Sequence, residues 1–147
     1  MASMKPEPEL ILIVDDDAGD RLLMRRCLAK GGFGRNLVIV TNGEEALHYL
    51  RRQGSYRSLA GQDLPCLVLL DLNMPKVDGM QVLREMQEDV ALKSIPVVIF
   101  TTSDQANDIK DSYRHGAWYY LIKPSGAAAY DKMVVVLRDF WQHIVDI

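Results

Sequence analysis

The chain has 147 residues, 48% hydrophobic and 25% charged, with 17 Lys and Arg against 20 Asp and Glu for a net charge of −3. That length fits one domain able to bury a sizeable core, without room for a second module. The near-neutral balance, with no basic block, argues against direct nucleic-acid binding. No apolar stretch reaches the length of a membrane span, and no charged, then apolar, then small-residue leader opens the chain. A soluble cytoplasmic protein with no membrane partner is therefore expected. Cys27 and Cys66 are widely spaced in apolar surroundings, which predicts buried thiols rather than a disulfide or a metal pair. Residues 1–9 read as a flexible N-terminal tail, with Met1-Ala2-Ser3 an appended start and a Pro/Glu-rich stretch to Glu9. Residues 10–147 read as the domain.

In chain order, the first strand is Leu10 to Val14, an unbroken apolar run, followed at once by Asp15-Asp16-Asp17. A helix from Ala18 to Lys30 then stops at Gly31-Gly32. The run Gly31-Gly32-Phe33-Gly34 follows a helix rather than a strand, so it predicts a turn and not a phosphate loop. Strand two is Leu37 to Val40, and Asn42 with Glu45 forms a capping box for helix two. Gln53 to Pro65 carries two Gly, two Ser and a Pro and reads as a long surface connection. Strand three, Cys66 to Leu70, ends on Asp71. Asp78 and Gln81 open helix three, whose Leu83, Met86 and Val90 recur at helical spacing. Strand four is Val97 to Phe100, and helix four carries Ala106, Ile109 and Tyr113. Both stripes are expected to face the sheet. Strand five is Trp118 to Ile122, and helix five runs from about Gly126 to the end.

Apolar runs without two-residue alternation suit strands covered on both faces of a parallel sheet, and their alternation with helices predicts a doubly wound α/β fold. Helix five holds Met133-Val134-Val135-Val136-Leu137 and Phe140-Trp141, so apolar side chains occupy more than one of its sides. One face meets the sheet. The other meets either a second copy of the chain or loops of its own domain.

Polar residues follow four of the strands directly: Asp15-Asp16, Asp71, Thr101 and Lys123. Parallel sheets bind ligands beyond these carboxyl ends. At an effective dielectric near 20, each pair of carboxylate charges about 4 Å apart costs roughly 4 kcal/mol, so a positive group is required among them. Ile13-Val14-Asp15-Asp16, Leu69-Leu70-Asp71-Leu72-Asn73-Met74-Pro75 with Asp78-Gly79, Phe100-Thr101-Thr102 and Lys123-Pro124 stand in order at these ends. Together they resemble the receiver domain of two-component response regulators over nearly the whole chain.

The resemblance implies a five-stranded, flavodoxin-like sandwich acting as a stand-alone response regulator. It accepts a phosphoryl group on Asp71 from a sensor histidine kinase or a phosphotransfer protein. A carboxylate is a poor nucleophile for phosphorus unless the incoming charge is neutralised, which the family does with Mg²⁺. By the resemblance Asp16 and Asp71 ligate the ion, Asp15 assists partly through water, and Asn73 offers its backbone carbonyl. Lys123 contacts Asp71 and then a phosphoryl oxygen, aimed inward by a cis bond to Pro124. Thr101 donates to another phosphoryl oxygen and, with Tyr120, forms the switch that alters the face of helix four, strand five and helix five. Asn73 and Ser103 match positions that tune phosphate lifetime. Asp17 reads as the helix cap, although three consecutive acids leave a one-residue choice of ligands open. Tyr119 is the neighbouring candidate for the switch, and an ordinary half-buried strand tyrosine is the other reading.

Two other functions compete. An aspartate-nucleophile phosphohydrolase wants a second acid two residues after Asp71, where this chain has Asn73. A receiver-like interaction module would take no phosphate. The preferred reading is a signalling protein rather than an enzyme. His48, His115 and His143 lack ligand spacing. The long second connection, Phe100-Thr101-Thr102-Ser103, Ser112-Tyr113-Arg114 and Phe140-Trp141 further resemble the small regulators that accompany bacterial phytochrome kinases. That resemblance implies a homodimer and a light-sensing kinase.

Overall fold

A computed structural model describes residues 10–32 and 36–145. The expected tail over residues 1–9, and Phe33-Gly34 of the glycine-rich turn, lie outside the described residues. Five parallel strands, β1 (Ile11–Val14), β2 (Leu37–Val40), β3 (Leu67–Leu70), β4 (Val97–Thr101) and β5 (Tyr119–Ile122), form one sheet in the order β2-β1-β3-β4-β5. Between and after them run α1 (Ala18–Lys30), α2 (Gly43–Arg51), α3 (Gly79–Glu88), α4 (Ala106–Arg114) and α5 (Ala127–Val145). A 3-10 turn at Gly54–Leu59 structures the long connection.

The two-residue period of a strand divides the core cleanly. Ile11, Ile13, Leu67, Leu69, Val98 and Phe100 face α1 and α5, where Met24, Leu28, Met133 and Leu137 close over them. Leu12, Val14, Val68, Leu70, Val97 and Ile99 face the opposite side, against Ala46, Leu50, Val82 and Met86 of α2 and α3. Both faces of β1 and β3 are buried, as their unbroken runs require. Asn42 and Asp78 cap α2 and α3 by accepting from the backbone N–H groups of Glu45 and Gln81 at 2.8 and 2.9 Å. Cys27 is buried, whereas Cys66 is only half-buried, and both are free thiols.

Two apolar stripes depart from expectation. Val90 is 82% exposed, because α3 ends at Glu88 and the Asp89 side chain accepts from the N–H of Ala91, turning the chain outward. On α4 the buried residue is Ser112, whose hydroxyl donates to the Asp108 carbonyl at 2.7 Å, while Ala106 and Tyr113 are exposed. α4 packs beside β5, the edge strand, so only a narrow strip of it is covered. On α5, Val135 and Val136 are 57% and 40% exposed, so the described loops leave that second apolar face partly open.

Register aligns the strand ends. Val14 pairs with both Val40 and Leu70, so Asp15 and Asp71 leave the sheet side by side, with the N–H of Asp71 donating to the Val14 carbonyl at 3.0 Å. Thr101 pairs with Ile122, and the Lys123 N–H extends the ladder to the Thr101 carbonyl at 2.7 Å. Gly79 permits the next crossing: a Cβ there would lie 2.0 Å from the carbonyl oxygen of Asp71.

Candidate functional site

The crevice beyond β1, β3 and β5 gathers Asp15, Asp16 and Asp71, with carboxylate oxygens within 4.8 Å of one another. Asp15 and Asp71 are buried and Asp16 stands exposed at the mouth. The geometry groups Asp15 and Asp16 with Asp71, while Asp17 caps α1, accepting from the Asp20 N–H at 2.8 Å. Each buried acid gives one oxygen to a backbone amide two residues on. Asp15 Oδ1 accepts from Asp17 at 2.9 Å and Asp71 Oδ1 from Asn73 at 3.1 Å. These are tight turns in which the acid fixes its own loop.

The remaining oxygens converge on Lys123. Its Nζ lies 2.8 Å from Asp15 Oδ2, 2.9 Å from Asp71 Oδ2 and 2.8 Å from Asp20 Oδ2. Burial disfavours the charged amine, but hydrogen bonds to these three carboxylates outweigh it and hold the lysine pKa above its usual value. Burial raises the Asp15 carboxyl above its ordinary range despite the Lys123 bond. Burial also pushes Asp20 upward, yet bonds from Lys123 and Tyr130 prevail and hold it low. The crevice therefore contains more buried anionic charge than one ammonium satisfies.

The expected cis bond is not present: the described residues contain no cis peptide, and Lys123-Pro124 is trans. The ladder bond to Thr101 and the length of the side chain bring Nζ into the crevice in that geometry. Thr101 is fully buried, and its hydroxyl oxygen accepts from the Asn73 amide at 3.4 Å. Tyr120 is half-buried and donates to the Ser103 carbonyl at 2.8 Å, joining β5 to the loop after β4. Tyr119 instead stacks on Phe140, with ring centres 5.2 Å apart.

Asp20 and Tyr130 were not foreseen. An acid in the first turn of a helix reads as an ordinary partner of the helix dipole. Its one distinguishing sign is its position, one turn beyond Asp17 on a helix that starts at the crevice.

Asp15, Asp16 and Asp71 form an oxygen donor set of the kind that suits a divalent cation. A family model for the response regulator receiver domain matches residues 11–135. The chain belongs to the response regulator receiver family. Response regulator Rcp1 of Synechocystis sp. is 36% identical over 145 residues, covering 99% of this chain and 97% of that protein. The crystal structure of the phosphorylated cyanobacterial phytochrome response regulator RcpA superposes with a TM-score of 0.83 at 37% identity. That match covers 92% of this chain and 94% of the other. The Mn²⁺-bound form of Rcp1 gives 0.82, also at 37% identity, over 92% and 95% of the two chains. Receiver membership places the chain in two-component signalling and favours neither the phosphohydrolase nor the phosphate-free module. Among the described residues, no helix is long and apolar enough to cross a membrane.

Proposed function

We propose that this receiver is a stand-alone, cytoplasmic response regulator that takes a phosphoryl group from a kinase phosphohistidine onto Asp71 and signals through altered protein contacts. The observation carrying this reading is the convergence of Asp15, Asp16, Asp71 and Lys123 at adjacent strand ends. Asp15, Asp16, Asp71 and the backbone carbonyl of Asn73 would hold Mg²⁺. When bound, the ion neutralises phosphoryl oxygens and aligns them with the acceptor. Asp71 holds Oδ1 against the Asn73 amide and Oδ2 against Lys123, so Oδ2 attacks phosphorus as the lysine shifts away from it. The new bond joins that oxygen to phosphorus, the phosphorus–nitrogen bond breaks, and its electron pair returns to the imidazole. Lys123 moves its ammonium from the acceptor to a phosphoryl oxygen, and the Thr101 hydroxyl donates to another. Because Thr101 lies one strand from Tyr120, and Tyr120 is tied to Ser103, that donation reaches the α4–β5–α5 face.

The partner assignment has separate support. Rcp1 and RcpA, similar over nearly their whole lengths, are response regulators, and RcpA is described as a phytochrome response regulator. A phytochrome-type histidine kinase is the corresponding donor. The exposure of Val135 and Val136, beside the groove formed by Tyr119, Val136, Asp139, Phe140 and His143, supports a homodimer through this face.

Incubation with a phosphohistidine-bearing kinase domain tests the function. Mg²⁺-dependent transfer that disappears in Asp71→Asn supports it, and transfer that persists in this variant defeats it.

A further inference from the structure

Lys123 has three donors, and its three partners are not equivalent. Asp15 and Asp71 belong to the acid cluster, so their oxygens face competition from a cation and from an incoming phosphoryl group. Asp20 does not. It sits on α1, contacts Nζ at 2.8 Å through Oδ2, and accepts the Tyr130 hydroxyl at 3.0 Å through Oδ1. Tyr130 is buried on α5, its ring edge-on to Phe100 with centres 5.7 Å apart, and Phe100 lies 5.8 Å from Nζ. The α1 and α5 face of the sheet therefore supplies an oriented acid from α1 and the β4 ring of Phe100, backed by Tyr130 of α5, beside the lysine.

We propose that Asp20, oriented by Tyr130, is a positioning residue that retains Lys123 at the crevice wall while Asp15 and Asp71 turn their oxygens toward the divalent cation. A buried ammonium that loses its anionic partners is strongly destabilised. Without Asp20, Lys123 stays on Asp15 and Asp71 and opposes the cation; with it, the lysine has a third partner and remains within reach of a phosphoryl oxygen. This role rests on the phosphoacceptor reading above.

The experiment is titration of the full, unphosphorylated chain with Mg²⁺, followed calorimetrically, in wild type, Asp20→Asn, Asp20→Glu, Tyr130→Phe and Glu44→Gln. Glu44 is exposed in the first turn of α2, so Glu44→Gln removes one negative charge outside the crevice and its Kd should stay within about two-fold of wild type in physiological salt. Asp20→Asn should weaken binding by about ten-fold, the usual effect of removing the partner that orients a metal site. Tyr130→Phe keeps the ring against Phe100 and should fall between these values, while Asp20→Glu should recover most of the affinity. Equal Kd values for Asp20→Asn and Glu44→Gln would overturn the positioning role alone. A wild-type chain that takes up no Mg²⁺ would overturn the phosphoacceptor reading and this role with it. If Asp20→Asn loses its folded circular dichroism spectrum, Tyr130→Phe decides the matter, and wild-type affinity there counts against the proposal.

Discussion

Lys123 is the counterion that lets Asp15, Asp20 and Asp71 be charged together in a crevice that α1 and α5 partly close. Breaking a buried ion pair from one side leaves uncompensated charge, so Lys123→Ala should lose about 3 kcal/mol of unfolding free energy in metal-free buffer. Mg²⁺ should restore part of that loss and stabilise the variant more than the wild type. Urea denaturation with and without Mg²⁺ measures both effects, and equal Mg²⁺ stabilisation of the two proteins would count against the balance of charge described here. Asp15, Asp71 and Lys123 were legible in the sequence because each directly follows an apolar run, and a strand end is a fixed place in a parallel sheet. Asp20 was not. Its role depends on where α5 places Tyr130, 110 residues away, and no local pattern encodes that contact.

At the scale of elements, close packing of the loop after β3 fixes the backbone of Asp71, the proposed acceptor. A Cβ on Gly79 would overlap the Asp71 carbonyl, so Gly79→Ala should destabilise the fold by roughly 1–3 kcal/mol, the range for overpacking. It should also weaken Mg²⁺ binding, because the displaced atoms belong to Asp71 and Leu72 beside the acid cluster; calorimetry on the folded variant reads this directly. The loop after β4 carries Ser103, which accepts from Tyr120 and links the proposed switch residues. Thr101→Ala should still accept phosphate on Asp71 but lose the phosphorylation-dependent change in the Tyr120 environment, read by tyrosine-ring NMR. An unaltered response in that variant would remove Thr101 from the switch. Caps and strand interiors were legible because Asn42, Asp78 and the apolar runs act locally. The faces of α3 and α4 were less so. The local turn at Asp89 ends α3 before Val90 can join its buried stripe, and the edge position of β5, a consequence of strand order, leaves Ala106 and Tyr113 uncovered.

For the whole molecule, the doubly wound architecture followed from five apolar runs separated by helical patterns, and the receiver family model covers residues 11–135. The exposed Val135 and Val136 of α5 were visible as part of an excess of consecutive apolar residues, and their exposure sets a prediction about assembly. Val136→Lys should leave the monomer folded and shift a dimer to monomer in sedimentation equilibrium, since a charge at an apolar interface core is disfavoured. A wild-type chain that is monomeric at high concentration would remove the dimer. In the proposed function, the crowded group of acids turns one member, Asp71, into a phosphate acceptor. The most direct test is borohydride reduction after treatment with an acyl phosphate and Mg²⁺, followed by peptide mass mapping. Reduction of the acyl phosphate to homoserine at position 71 alone, abolished by chelation, is the predicted result; modification at position 15 or 16, or at none of them, would contradict it.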